Sequence, residues 1–155
     1  IRPHPRLGTI EIRICDAVTR VEDAVAISAY CQALVKQLCE QHESGEEIPS
    51  YHRILTSENK WLAARYGLEA PVMDLGRASR NRVPVARLIR RTVNELRPHA
   101  RELGSERELE GVLEILGRGS SSDRQLRIYN ANRDIVEVAR EIADATERLP
   151  AAVVT

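Results

Sequence analysis

The chain has 155 residues, which is long enough for one domain with a buried core. Lys and Arg together number 23 and so do Asp and Glu, so a generally basic surface for nucleic acids or anionic membranes is excluded. Phe is absent and Trp61 is the single tryptophan, so the predicted core consists of Leu, Ile, Val and Ala.

The three cysteines, Cys15, Cys31 and Cys39, show no metal-binding spacing and are interpreted as reduced thiols of a cytoplasmic protein. No apolar run reaches membrane-spanning length and no signal peptide is visible, so a membrane partner is not expected. The chain opens on "IRPHPRLG" without a Met, and we expect it to be a fragment of a longer protein.

The first predicted element is a strand over residues 8–16, "GTIEIRICD". Its apolar and polar residues alternate, which is typical of a strand with one buried and one wet face. One face carries Ile10, Ile12 and Ile14, expected to anchor the strand on helices, and the other carries the charged pair Glu11 and Arg13.

Two helices and a hairpin are predicted next. The first helix covers about 20–42 and opens with a capping box at Thr19 and Glu22. Its predicted buried stripe consists of Ala24, Ile27, Cys31, Leu34, Val35 and Leu38. The second helix covers about 51–66 and ends at Gly67, and the short apolar runs 71–73 and 83–85 indicate a small hairpin.

The rest of the chain is predicted to be helical. The third helix covers 84–103 with a kink at Pro98, and the fourth starts at a capping box of Ser105 and Glu108. The predicted buried face of the third helix consists of Val85, Leu88, Ile89, Val93, Leu96 and Ala100. The final stretch follows the polar loop 119–125, with Ser122 and Gln125 as its capping pair, is interrupted near Asn132 and is stopped by Pro150. The prediction is an α+β fold with five or six helices and one strong strand, whose partners lie partly outside the chain or in the hairpin.

Glu11 and Arg13 are the leading candidates for chemistry. Residues two apart on a strand present their side chains on the same face, about 7 Å apart. A carboxylate binds Mg²⁺ well, and a neighbouring Arg binds the phosphate that such a metal accompanies. Residue type and spacing alone leave open a second interpretation, an ion pair on a solvated sheet surface.

Four stretches of the chain resemble type-2 glutamate–cysteine ligases, the carboxylate-amine ligases of the glutamine synthetase-like superfamily. They are "RPHPRLGTIEIRICD", "ENKWLAARYGLEA", "VPVARLIRRTVNELRPHARELG" and "GRGSSSDRQ", and they follow one another in the family's order. The resemblance covers essentially the whole chain and corresponds to the C-terminal half of such an enzyme. It implies that residues 1–155 form the C-terminal portion of one catalytic domain, with the active-site strand in 1–16 and a mainly helical layer in 17–155.

The resemblance also implies an activity and a set of site residues. Such enzymes use ATP to convert a carboxylate, usually the γ-carboxylate of glutamate, into an acyl phosphate, which an amine such as that of cysteine then attacks. In this family the carboxylate matching Glu11 is a Mg²⁺ ligand in the nucleotide site. The residue matching Arg13 contacts the transferring phosphoryl group or the substrate. The other metal ligands and most of the glutamate site would lie in the missing N-terminal half, so the fragment alone is expected to be inactive.

Several further residues are candidates for a structural or a functional role. Arg2 is a substrate-carboxylate ligand or a solvated chain end, and Arg65 is a site residue or a structural ion-pair partner. Asn59 is assigned a capping role, and Trp61 a place in the core or an interface. The loop 119–125 lacks the Walker pattern and is interpreted as a helix cap.

The function also has alternatives. The runner-up is the same chemistry on another acid and amine, and the rival from another class is a non-catalytic helical interaction module. Homo-oligomerisation is left open.

Overall fold

A computed structural model describes residues 1–76 and 81–148, and these residues form an α+β fold, as predicted. They contain six α-helices and two small antiparallel sheets of two strands each. The elements are β1 Arg2–His4, β2 Thr9–Glu11, α1 Val21–Glu43, α2 Arg53–Tyr66, β3 Pro71–Met73, β4 Arg82–Pro84, α3 Val85–Glu102, α4 Glu106–Arg118, α5 Ser121–Asn132 and α6 Ile135–Glu147. The predicted stop at Pro150 and the tip of the second hairpin lie outside the described residues.

The strand expected over residues 8–16 is shorter than predicted and has a partner inside the chain. Strand β2 pairs with β1 in the register Arg2↔Glu11, Pro3↔Ile10 and His4↔Thr9. The turn between the strands carries Gly8 at φ 60°, a conformation that glycine adopts without strain. The two prolines of "RPHPRLG" obscured β1, because proline removes a backbone donor and weakens the strand signal.

The largest core lies between α1, α3 and α4. Its buried side chains are Ala26, Ala29, Ala33, Val93, Leu96, Ala100, Leu109 and Val112. The predicted face of α3 is therefore correct, whereas α1 is rotated from its predicted stripe, and Leu38 is 38% exposed. The buried stripe of α1 is made of alanines because α4 approaches closely: a Cβ added at Gly111 would lie 2.9 Å from that of Ala26.

A second, smaller core lies under the β3–β4 hairpin, which forms as predicted. It contains Leu62 of α2, Ala70 and Val72, with Val85 and Leu88 of α3 packed against it. The Asn59 side chain joins α2 to β3, since its Nδ2 donates to the Met73 carbonyl and its Oδ1 accepts from the Met73 amide, both at 2.8 Å. The capping role predicted for Asn59 is in fact a clamp between two elements.

The helix starts differ from the predicted capping boxes. Helix α1 begins after Arg20 and helix α4 after Ser105, and neither residue caps its helix through a side chain. Thr19 instead bonds Ser121 across the fold, with 3.2 Å between their hydroxyl oxygens. Helices α5 and α6 are separated at Arg133, which adopts a left-handed φ of 54°, so the interruption predicted near Asn132 is confirmed.

The chain has a large surface for its size. Its accessible area is 11388 Å², whereas a compact monomer of this mass exposes about 7,900 Å². Several large apolar side chains contribute, among them Ile14, Ile54, Trp61, Leu126 and Ile135. None of the helices in the described ranges combines the length and apolar character needed to cross a membrane.

Candidate functional site: the charged face of the first hairpin

The β1–β2 hairpin brings together three of the predicted site residues. Arg2 lies directly opposite Glu11 in the register, and directly opposed residues of antiparallel strands share a face. Arg13 follows just beyond the end of β2, with its Nε 3.6 Å from the Glu11 Oε1. Pairing between β1 and β2 therefore places Arg2 and Glu11 on one face of the hairpin, and Arg13 pairs with the same carboxylate from the segment that follows β2.

This cluster is open to solvent. The Arg13 and Glu11 side chains are 64% and 53% exposed, and the 3.6 Å separation is longer than a charge-assisted hydrogen bond. Such an exposed ion pair contributes little to stability. The Glu11 carboxylate is consequently accessible to an added cation, and Arg13 to an added anion.

Glu11 is the single carboxylate among residues 1–11, which form the first hairpin. Within residues 1–76 and 81–148 there is no group of three or more His, Cys, Asp or Glu side chains arranged to hold a metal ion. Mg²⁺ is compatible with such a site, because it keeps several waters and takes one or two carboxylates together with substrate phosphates. The Glu11 carboxylate is thus a candidate for one ligand of such an ion.

A cavity of about 490 Å³ separates the hairpin from α1. It is lined by Ile10 and Ile12 on one side and by Ala24, Ile27 and Cys31 of α1 on the other. The first half of the α1 stripe predicted to be buried therefore faces this cavity, whereas Leu34 of the same stripe packs against the main core. Ile14 does not anchor the hairpin, since it is 68% exposed.

Cys15 and Cys31 also line this cavity, and both are free thiols. Burial and the neighbouring Cys15 raise the pKa of the Cys31 thiol above its usual value. A raised pKa keeps the group protonated at neutral pH, and the protonated thiol is a poor nucleophile. This environment therefore does not activate Cys31 as a nucleophile.

Arg65 and Trp61 both contact the Tyr66 ring within α2. The Arg65 guanidinium lies over the Tyr66 ring, 5.5 Å from its centroid, and Trp61 meets the same ring edge-on at 6.1 Å. Trp61 is 60% exposed, so its predicted place in the core is wrong and a place in an interface is left. Arg65 therefore contacts an aromatic ring of its own helix, and the predicted role of Arg65 in substrate binding stays a prediction.

Two polar contacts of structural importance were not predicted. Arg91 of α3 donates two hydrogen bonds, of 2.6 and 2.9 Å, to the carboxylate of Asp74, which is buried. Arg118 of α4 pairs with buried Asp23 of α1. Neither pair has a local signal, because the partners are 17 and 95 residues apart.

The loop 119–125 is a helix cap, as predicted, but in a different register. Ser120 rather than Ser122 is the N-cap of α5, and it forms a capping box with Asp123. The Ser120 amide donates to Asp123 Oδ2 at 2.8 Å, and the Asp123 amide donates to Ser120 Oγ at 3.2 Å. Arg124 donates to the Thr19 hydroxyl at 3.0 Å, so the cap is also joined to the segment before α1.

Comparison with known families decides the relationship of this chain. The model of glutamate–cysteine ligase family 2 matches residues 1–147. The chain belongs to glutamate–cysteine ligase family 2. The family resemblance predicted from the four stretches is thereby confirmed, and the charged hairpin lies at the start of the matched region.

Curated relatives of this family-2 chain agree with that assignment. A protein of Rubrobacter xylanophilus named "Putative glutamate--cysteine ligase 2-1" is 43% identical over 146 residues, which are 94% of this chain and 38% of that protein. A "Putative glutamate--cysteine ligase 2" of Solibacter usitatus is 39% identical over 147 residues, with 95% and 38% covered.

The matches to these two relatives cover only part of each relative. The chain spans 38% of the length of each of these two relatives. No solved structure matches the chain. The elements of the structure confirm the α+β class. The glutamine synthetase-like superfamily stays a prediction.

Proposed function

We propose that this family-2 chain carries part of the active site of an ATP-dependent carboxylate-amine ligase of the glutamate–cysteine type. The observation that carries the proposal is the charged face of the first hairpin. Glu11 lies opposite Arg2 in the register of the exposed strand pair and 3.6 Å from the Arg13 guanidinium, in a chain that belongs to a ligase family. Phosphoryl transfer relies mainly on positioning and charge neutralisation, and these are the groups that supply both.

Each residue of this face has a proposed role. Glu11 holds Mg²⁺, which neutralises charge on the ATP phosphates when it is bound. Arg13 releases its long contact with Glu11 and binds the transferring phosphoryl group through its planar fork. Arg2, opposite Glu11 on β1, binds a carboxylate of the acid substrate.

The reaction then proceeds through an acyl phosphate. The substrate carboxylate oxygen attacks the γ-phosphorus of ATP and the bond to ADP breaks. The amine of the second substrate, such as cysteine, next attacks the acyl carbon, and inorganic phosphate leaves as the amide bond forms. The guanidinium groups of Arg13 and Arg2 keep the two negatively charged reactants side by side.

The remaining ligands and sheet partners are proposed to come from a region that corresponds to the rest of the longer relatives. The described residues contain no group of three or more potential metal ligands, their two sheets have two strands each, and the chain exposes more surface than a compact monomer. The chain alone is accordingly expected to show no ligase turnover.

The decisive experiment is Glu11→Gln in the chain joined to the corresponding upstream region. Amide-bond formation and Mg²⁺-dependent phosphate release from ATP are measured with glutamate and a panel of amines. Removal of the charged ligand is expected to lower kcat by at least about a hundredfold, with an unchanged circular dichroism spectrum. Glu46→Gln, an exposed position in the loop after α1, is the matched control.

The outcomes separate the candidate functions. Unchanged turnover in Glu11→Gln would exclude the metal role of Glu11. Turnover with another acid or amine would keep the chemistry and change the substrates. Absence of ATP turnover in the joined protein with every substrate would favour a non-catalytic module.

A further inference from the structure

A second concave site lies on the helical layer, where α1 begins, α4 ends and α5 begins. Its volume is about 210 Å³, and four arginines line it. They are Arg20, Arg118, Arg124 and Arg127. Asp23 is the single carboxylate in the lining, so four guanidinium groups meet one acidic group.

The contacts of these arginines leave most of their charge available. Arg118 pairs with buried Asp23, and this pair fixes the wall of the cavity. Arg20 reaches Glu22 only at 3.6 Å, at the half-exposed start of α1. The charge of Arg118 is therefore offset by Asp23, whereas the charge of Arg20 is offset only weakly by Glu22.

The two arginines of α5 are held mainly by neutral oxygens. Arg124 donates to the Thr19 hydroxyl at 3.0 Å and lies 3.6 Å from a Glu141 oxygen. Arg127 donates to the Arg118 carbonyl at 3.4 Å. Neutral acceptors orient a guanidinium group without cancelling its charge, so Arg127 remains available to an anion, and Arg124 is offset only weakly by the Glu141 carboxylate.

The start of α5 does not itself supply the site. The Asp123 carboxylate takes the Ser120 amide and closes the helix terminus with a capping box. Gly119 lies against that carboxylate at φ 89°, and a Cβ there would lie 3.1 Å from the Asp123 Cβ. The loop is therefore rigid, and the guanidinium groups rather than the helix end would bind a ligand.

We propose that this arginine cavity binds a phosphoryl group, either free phosphate or the end group of a phosphate ester. Several guanidinium donors converge from different elements, which suits the oxygens of a dianion better than the two oxygens of a carboxylate. The cavity is smaller than the 300–1,000 Å³ typical of sites that enclose a drug-sized ligand. Any larger ligand therefore extends outside it. Its lining includes none of the residues assigned to the proposed ligase site, Arg2, Glu11 and Arg13.

Titration of the purified chain with inorganic phosphate tests this site. Binding is followed by calorimetry and by amide chemical shifts in NMR spectra, with sodium chloride holding ionic strength constant. Saturable binding with shifts confined to the Gly119–Ser121 amides and their neighbours is expected. ATP and glucose 6-phosphate form the ester arm, and acetate forms the carboxylate arm.

Variants localise the binding. Because a charge-assisted hydrogen bond contributes about tenfold in affinity, Arg20→Gln with Arg127→Gln should weaken phosphate binding by about a hundredfold. Arg53→Gln, at the exposed start of α2, is the matched control and should bind as the wild type does.

Each outcome bears on the proposal. Tighter binding in the ester arm identifies a phosphate ester as the source of the group, and equal binding identifies free phosphate. Non-saturable shifts, equal binding of acetate, or an unaffected double variant would overturn the proposal.

Discussion

Gly111 of α4 lies directly against Ala26 of α1, so close that an added Cβ would be 2.9 Å from the Ala26 Cβ. Real Cβ atoms do not approach this closely, so Gly111→Ala must push the two helices apart. We expect the free energy of unfolding to fall by about 1–3 kcal/mol, as for other overpacked cores. Urea denaturation followed by circular dichroism measures the change.

Gly117 of the same helix supplies the control. A Cβ there would meet nothing within 4 Å, so Gly117→Ala should gain about 0.5–1 kcal/mol from helix propensity. The two substitutions have the same chemistry and opposite expected signs. Equal stabilisation of both variants would show that α1 and α4 do not approach as closely as described.

Asn59→Ala removes both hydrogen bonds between α2 and strand β3. The Met73 amide and carbonyl then lose their partner in a partly buried position, and we expect a loss of about 1–3 kcal/mol in the free energy of unfolding. Chemical denaturation measures the loss, and Lys60→Ala, at the exposed neighbouring position, should leave stability within about 0.5 kcal/mol. Equal losses in the free energy of unfolding for Asn59→Ala and Lys60→Ala would contradict the clamp.

Glu106→Gln tests an ion pair through its pH dependence. Arg101 donates two hydrogen bonds to the Glu106 carboxylate, of 2.9 and 2.6 Å, and they lower the pKa of Glu106. A carboxyl group with a lowered pKa in the folded state stabilises the protein above its unfolded pKa. This contribution disappears as the pH falls through the lower folded value.

The wild type should therefore be more stable than Glu106→Gln near pH 7. The difference should begin to shrink below about pH 4.3, the ordinary pKa of glutamate. Thermal unfolding of both proteins from pH 7 to pH 3 measures it, and Glu114→Gln, exposed on the same helix, is the control. A difference that grew as the pH fell would reverse the predicted sign.

Arg13 variants test the proposed phosphoryl contact. In the protein joined to its upstream region, Arg13→Gln should lower kcat by about a hundredfold or more, since it removes a charged donor from the transition state. Arg13→Lys retains the charge without the planar fork and should have an intermediate effect. Arg6→Gln, in the exposed hairpin turn, should leave phosphate release unchanged. Equal rates for all three variants would exclude the contact.

Elements that carry local signals were predictable from the sequence. The stop of α2 at Gly67, the hairpin over 71–73 and the buried face of α3 follow from turn chemistry and periodicity. Near the start of the chain, the Arg13 Nε lies 3.6 Å from the Glu11 Oε1, in agreement with the short spacing of these residues along the sequence.

Contacts between distant segments were not predictable. The buried face of α1 depends on Gly111, 85 positions beyond Ala26, and periodicity alone favoured the larger side chains of the opposite stripe. The predicted capping serine and threonine follow the right local pattern, yet Thr19 bonds Ser121 instead. A local pattern states which bonds are possible, and tertiary packing decides among them.

The pairing of Pro3 with Ile10 gives the first hairpin a direction of growth. Proline has no N–H, so this pair is of the kind whose backbone groups point away from the hairpin, and β1 presents an outer edge without a donor at that position. Ile10 keeps both of its backbone groups on the opposite edge. An additional strand would therefore add beside β2, which would make β2 an interior strand and leave β1 at the rim of the enlarged sheet.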